Sequence, residues 1–131
     1  MKITLTPQES EQFFYNSLCN GLGYVTSGYG LEFDYNEEEY KKAKVNWIKA
    51  NNNEPCLEDV LMQILRDGGS LTLIDVEGGE DEKHTITMAE VHERVQLTDA
   101  QRLIDMQTEN DDAVTADCII QTVFFKDVIF G

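Results

Sequence analysis

Chemistry at neutral pH draws first on histidine and cysteine, and this chain has two of the former and three of the latter. His84 and His92 could each serve as acid, base or metal ligand, because imidazole titrates near neutrality. Neither belongs to an H-x-H or H-x-x-x-H pattern that would set two imidazoles on one face of a strand or helix. Both are read as hydrogen-bonded structural or surface histidines. Cys19, Cys56 and Cys118 are odd in number, widely spaced and free of any C-x-x-C pairing. That argues against a disulfide framework, a zinc knuckle and a redox motif together. Each cysteine is expected in or beside an apolar helix face, behaving as a small hydrophobe. The chain contains no G-x-S-x-G elbow, Walker loop or H-E-x-x-H. Gly21-Leu22-Gly23 opens like a phosphate loop, which needs a strand before it and a helix after it. Here a predicted helix precedes and the extended Leu31-Glu32-Phe33-Asp34-Tyr35 follows. The census leans away from an enzyme without deciding the matter, and points to neither cofactor nor metal.

Carboxylates are the abundant reactive group: 25 acidic residues stand against 10 basic ones, a net charge of −15. Before the Gly68-Gly69 pair there are 11 acidic and 6 basic residues, net −5. After it there are 14 and 4, net −10. The densest groups are Glu77, Glu80, Asp81 and Glu82, then Glu109, Asp111 and Asp112. Hard cations take oxygen ligands, but neither group has the D-x-[DN]-x-[DN]-G spacing of a calcium loop, and Asp111 or Asp112 is better read as a helix cap. Such a charge opposes direct binding to nucleic acid or to an anionic membrane. It suits a basic protein partner, with these two groups as the acidic contact residues, and it also favours solubility. Tyr24, Tyr29 and Tyr35 supply a candidate aromatic contact surface, since tyrosine gives contact area at low entropic cost.

The elements that position these residues follow from periodicity and caps. Lys2-Ile3-Thr4-Leu5 alternates as a short strand. Thr6-Pro7-Gln8-Glu9 is a capping box with proline in the first turn, opening a helix to about Asn20 with Phe14 and Leu18 inward. Residues 21–30 read as a glycine-rich connection. Asn36 caps a second helix carrying Tyr40, Ala43 and Trp47 on one face, and Asn51-Asn52-Asn53-Glu54-Pro55 breaks it. Leu57, Val60, Leu61, Ile64 and Leu65 form the most regular apolar stripe of the chain, ended by Gly68-Gly69. Residues 70–76 suggest a central strand and residues 84–88 its partner, joined by an acidic loop at 77–82. Thr87 and Thr98 each open a further helix with an acidic or amide residue three positions on, the second burying Leu103 and Ile104. Residues 113–124 read as a last helix, with a strand over 119–125 as the alternative, and residues 127–131 as a final short strand.

These elements predict an α+β fold: a small, mainly antiparallel sheet with a central hairpin, covered by five to six helices. With 131 residues, 41% hydrophobic and 27% charged, the chain suits one compact domain over 1–131, any subdivision falling near 51–55. No targeting segment opens it and no run approaches the ~18 apolar residues of a membrane span. A cytoplasmic protein is expected.

Glu58-Asp59-Val60-Leu61-Met62-Gln63-Ile64-Leu65-Arg66-Asp67-Gly68-Gly69, Val91-His92-Glu93-Arg94-Val95 and the ending from Asp111 to Gly131 resemble small acidic proteins of unassigned function carried by bacteriophages and mobile elements of gut-type bacteria. That resemblance implies a context, a cytoplasmic protein of a bacterial host, and no residue roles. Small acidic phage-like proteins are often inhibitors of host defence or nucleic-acid-handling complexes, some by imitating the charge of DNA. The expected function is a non-enzymatic binding protein engaging a basic surface. The alternatives are a virion or mobile-element assembly protein that self-associates as a homo-oligomer, and a small-molecule binder or hydrolase of unfamiliar type.

Overall fold

The computed structural model describes residues 3–75, 82–110 and 112–130, which hold six α-helices and a three-stranded antiparallel sheet. The chain runs α1 (Pro7–Tyr29), β1 (Leu31–Tyr35), α2 (Glu37–Asn51), α3 (Leu57–Arg66), β2 (Leu71–Asp75), β3 (Glu82–Ile86), α4 (Met88–Arg94), a 3-10 turn at Val95–Leu97, α5 (Ala100–Gln107) and α6 (Ala113–Phe125). It is an α+β fold, as the pattern of elements predicts.

Thr6 and Glu9 form the reciprocal cap that their spacing predicts: Thr6 Oγ1 accepts from Glu9 N at 3.2 Å and Thr6 N donates to Glu9 Oε1 at 2.9 Å. The helix does not stop near Asn20. It continues through the glycine-rich stretch to Tyr29 and closes on Gly30, whose φ of 69° is the left-handed cap conformation. The expected connection is helical because Val25 and Gly21 are buried on the same stripe as Phe14 and Leu18, and packing outweighs glycine's poor helix propensity. Gly21 lets α1 approach α6, where a Cβ would stand 2.6 Å from that of Ala116.

β2 is the central strand, with Phe33 opposite Leu73 on one side and Leu73 opposite His84 on the other. Leu31, Leu71, Leu73 and Ile86 are buried on its inner face. β3 spans Glu82–Ile86 instead of 84–88; it ends early because Thr87 turns out of the sheet to open α4, its hydroxyl bonded to Glu90 at 2.6 Å. The acidic loop joining β2 to β3 falls at 76–81, outside the described residues.

α6 settles the ambiguity at 119–125 in favour of helix and is the centre of the molecule. Residues from Thr115 to Phe124 are buried around nearly its whole circumference, so its apolar, β-branched composition reflects burial and not strand pairing. α1 packs along it, α5 and α4 flank it, and the Phe124 ring meets Phe33 of the sheet at 6.4 Å.

Three smaller expectations are corrected. Residues 3–5 form no strand; Leu5 N donates instead to the Gln96 side chain at 3.0 Å, beside the 3-10 turn. Residues 127–130 form no strand either, because Gln121 holds them by its side chain, accepting from Ile129 N and Phe130 N at 2.8 Å each and donating to the Phe130 carbonyl at 3.2 Å. In α5 the cap position is Asp99, not Thr98, and Met106 joins Leu103 in the core while Ile104 is 41% exposed.

Candidate functional site

Of the predicted acidic contact residues, Glu82, Glu109 and Asp112 are exposed, whereas Glu77, Glu80, Asp81 and Asp111 lie outside the described residues. Asp112 caps α6, its carboxylate accepting from Thr115 N at 3.0 Å, and that bond holds the carboxyl below its usual range. Glu109 has the left-handed φ of 61° that ends α5, and it lines a cleft of about 320 Å³ between α1 and α5 with Glu9, Gln12 and Asn16. Glu82 lies at the opposite end of α6: its neighbour His84 meets the Phe125 ring at 4.5 Å. The 13 residues of α6 at 1.5 Å per residue thus separate Glu82 from Asp112 by about 20 Å. Of the described members of the two groups, Glu82 and Asp112 therefore lie at opposite ends of one helix.

Between those poles the surface is short of cations. α1 has no lysine or arginine in its 23 residues. From α4 to α6, Glu90, Glu93, Asp99, Asp105, Glu109, Asp112 and Asp117 face only Arg94 and Arg102. Among the described residues, no ion pair involves a carboxylate of α4, α5, α6 or their connections. The lysines of α2 answer other carboxylates, Lys41 meeting Glu38 at 3.9 Å and Lys44 meeting Glu54 at 3.5 Å.

The tyrosines divide. Tyr24 is 44% exposed and stands edge-on to Tyr29 at 5.7 Å, and Tyr29 stacks on Phe130 at 5.3 Å. Tyr29 is anchored, donating its hydroxyl to the buried Asp117 carboxylate at 2.6 Å; burial, then that bond, pushes its phenol above the ordinary value. Tyr35 stacks on Tyr40 at 5.1 Å, on the side of the sheet where α2 begins.

A second constellation, not foreseen from the sequence, lines an open cleft of about 410 Å³ over α1, α2 and α3, with Trp47 and Asn51 on its α2 wall. Glu11 is shared, its two oxygens meeting Arg66 Nε at 3.4 Å and His92 Nε2 at 3.2 Å. Four residues along α1, Tyr15 donates to Asp59 Oδ1 at 2.9 Å, while Asp59 Oδ2 accepts from Cys56 N and from its thiol, both at 3.1 Å. Burial acts to raise the Asp59 carboxyl, yet the bonds from Cys56 and Tyr15 outweigh it and hold the carboxyl below its ordinary 3.8. The bond to Asp59, then burial, drives the Tyr15 phenol far above 10. Burial pushes the Cys56 thiol up, so the neutral thiol is favoured and nucleophilicity is poor. Cys56 and Cys19 are exposed, not set in apolar faces as expected. The cluster is chemically a latch between helices: no cysteine–histidine bond joins a nucleophile to a base among the described residues. Its cross-helix contacts join residues 41 to 81 positions apart in sequence, and only the capping-box interval from Cys56 to Asp59 could have been read beforehand.

No family model, curated relative or solved structure matches this chain.

Proposed function

We propose that this is a non-enzymatic binding protein, of the small acidic kind carried by phages and mobile elements, whose acidic surface engages a basic protein. The observation that supports it is the imbalance of charge: the carboxylates of α4, α5 and α6 are left without ion-pair partners among the described residues, with only Arg94 and Arg102 on those helices, while four lysines lie on α2. Unpaired like charges repel one another and cost stability, and a basic partner turns that cost into complementarity and a fast encounter. Glu82 and Asp112 lie at opposite ends of α6, a helix about 20 Å long, and carboxylates spread over that length suit an extended basic surface, such as the nucleic-acid groove of a host defence complex, better than a single basic pocket.

The test is capture of partners on the immobilised protein at low salt, elution with a salt gradient, and competition with duplex DNA. A basic nucleic-acid-handling protein, released by salt and displaced by DNA, is the expected result. Binding by that protein should weaken when Glu109→Gln, Asp111→Asn and Asp112→Asn are combined. Affinity indifferent to salt and to these substitutions would contradict a charge-led mechanism.

One observation favours a second reading, self-association in a virion or mobile-element assembly. Val128 and Ile129 are 45% and 56% exposed beside Phe130, which stacks on Tyr29. Sedimentation over a wide concentration range separates the readings: a strict monomer removes this one, and a dimer weakened by Ile129→Ser supports it.

A further inference from the structure

We propose that the open cleft between β3, α4 and the end of α6 binds a phosphate group, free or as a small monoester. The half of the chain after Gly69 has only four lysines and arginines against its 14 acidic residues. Three of those four, Lys83, Arg94 and Lys126, line this one cleft of about 290 Å³, together with His84. They come from a strand, a helix and a helix cap, so no run of sequence announces them.

Two details go beyond proximity. Lys126 has a φ of 67°, the left-handed conformation at which glycine is the usual helix-ending residue. A lysine there sets a cation at the cleft at the expense of backbone ease. Arg94 donates Nη1 to the Val123 carbonyl at 2.9 Å, which neutralises one free carbonyl at the end of α6, while its Nε is buried with no acceptor among the described residues. No carboxylate pairs with Arg94 among the described residues, so its charge is left for an anion at the cleft. Among the described residues, the Glu82 carboxylate stands beside the cleft, 3.5 Å from His84 Nε2.

Cations brought to one cleft by three elements suit a compact, multiply charged anion better than a planar carboxylate. The net charge of −15 repels large polyanions, so the ligand is small. The Phe125 ring, edge-on to His84, offers an apolar wall to the organic part of an ester.

The reading stands apart from the acidic-surface proposal and is tested separately. The protein is titrated with phenyl phosphate, inorganic phosphate and benzoate at fixed ionic strength, followed by calorimetry and by the His84 ring resonances. Saturable binding of phenyl phosphate is expected, with His84 shifted and benzoate much weaker. Phenyl phosphate binding tighter than inorganic phosphate assigns a monoester; equal binding assigns phosphate itself. Lys126→Gly should lower affinity at least about threefold, and Lys83→Gln likewise. Because glycine relieves the left-handed backbone, the melting temperature of Lys126→Gly should hold or rise, which separates lost contact from lost fold. Lys41→Gln, on α2, should leave affinity unchanged. No saturable phosphate binding by the folded protein, benzoate equal to phenyl phosphate, or equal weakening by Lys41→Gln would each overturn the proposal.

Discussion

Gly21 of α1 faces Ala116 of α6 so closely that a Cβ at position 21 would stand 2.6 Å from the Ala116 Cβ and 3.1 Å from its carbonyl carbon. The opposing atoms are the short side chain and backbone of a buried helix, which cannot swing aside as a long side chain could. Gly21→Ala should therefore destabilise the protein by about 1–3 kcal/mol through overpacking. Gly23 provides the control within the same helix, since a Cβ there meets nothing within 4 Å. Gly23→Ala should stabilise by about 0.5–1 kcal/mol by lowering the entropy of the unfolded chain. Chemical denaturation of the two variants should thus give opposite signs.

Tyr29 bridges α1 to the buried Asp117 of α6 through a 2.6 Å bond, and Gln121 donates to the other Asp117 oxygen at 2.7 Å. Tyr29→Phe leaves that carboxylate short of a donor and should cost about 1–3 kcal/mol. The folded phenol titrates above its ordinary 10.0, so its contribution is whole below that value and declines as pH rises past it. The alkaline loss of stability should be shallower in Tyr29→Phe than in the parent, and parallel curves would contradict the assignment.

Asp59 has its carboxyl held below 3.8, so the stability it contributes is present above that value and is lost as pH falls through the lower, folded one. Acid also discharges the many other carboxylates and relieves their repulsion, so the comparison must be made between proteins. The difference in unfolding free energy between the parent and Asp59→Asn should shrink steadily as pH drops below about 4. A difference constant from neutral pH into acid would remove Asp59 from the latch.

Cys19 and Cys56 are exposed, yet burial raises both thiols above the ordinary 9.0. Alkylation at neutral pH should be slower at each than in the unfolded chain, since the thiolate is the reacting form. Mass-resolved labelling rates that match those of the denatured protein would refute this.

The parts legible from sequence are those governed by local rules. The Thr6–Glu9 box and the Asn36 cap depend on neighbours a few residues away and stand where the spacing puts them, as do Val60, Leu61, Ile64 and Leu65 of the α3 stripe, although Leu57 at its start is 42% exposed and Met62 is buried as well. The run of α1 through residues 21–29 was hidden because its support, Ala116, lies on another element. Residues 127–130 were misread for a similar reason: their hydrogen bonds go to the Gln121 side chain, which no alternation pattern encodes. The acidic surface was visible as composition, but its arrangement along α6 was not. The Glu11–His92–Arg66 and Lys83–Arg94–Lys126 groups join separated elements and left no local trace.

The pairing of α1 with α6 also sets a timetable for synthesis. The stripe of Phe14, Leu18 and Val25 is made early and stays uncovered until residues 113–125 have been translated. At ~5–20 residues per second, the gap from position 21 to position 116 lasts roughly 5–20 s. During that wait a nascent chain exposes a ready surface for sticking to its siblings on the same message. A chain that has reached Gly68-Gly69 carries a net −5, and the remaining −10 is added by the residues that follow, so mutual repulsion between siblings grows through the same interval in which α1 waits for α6.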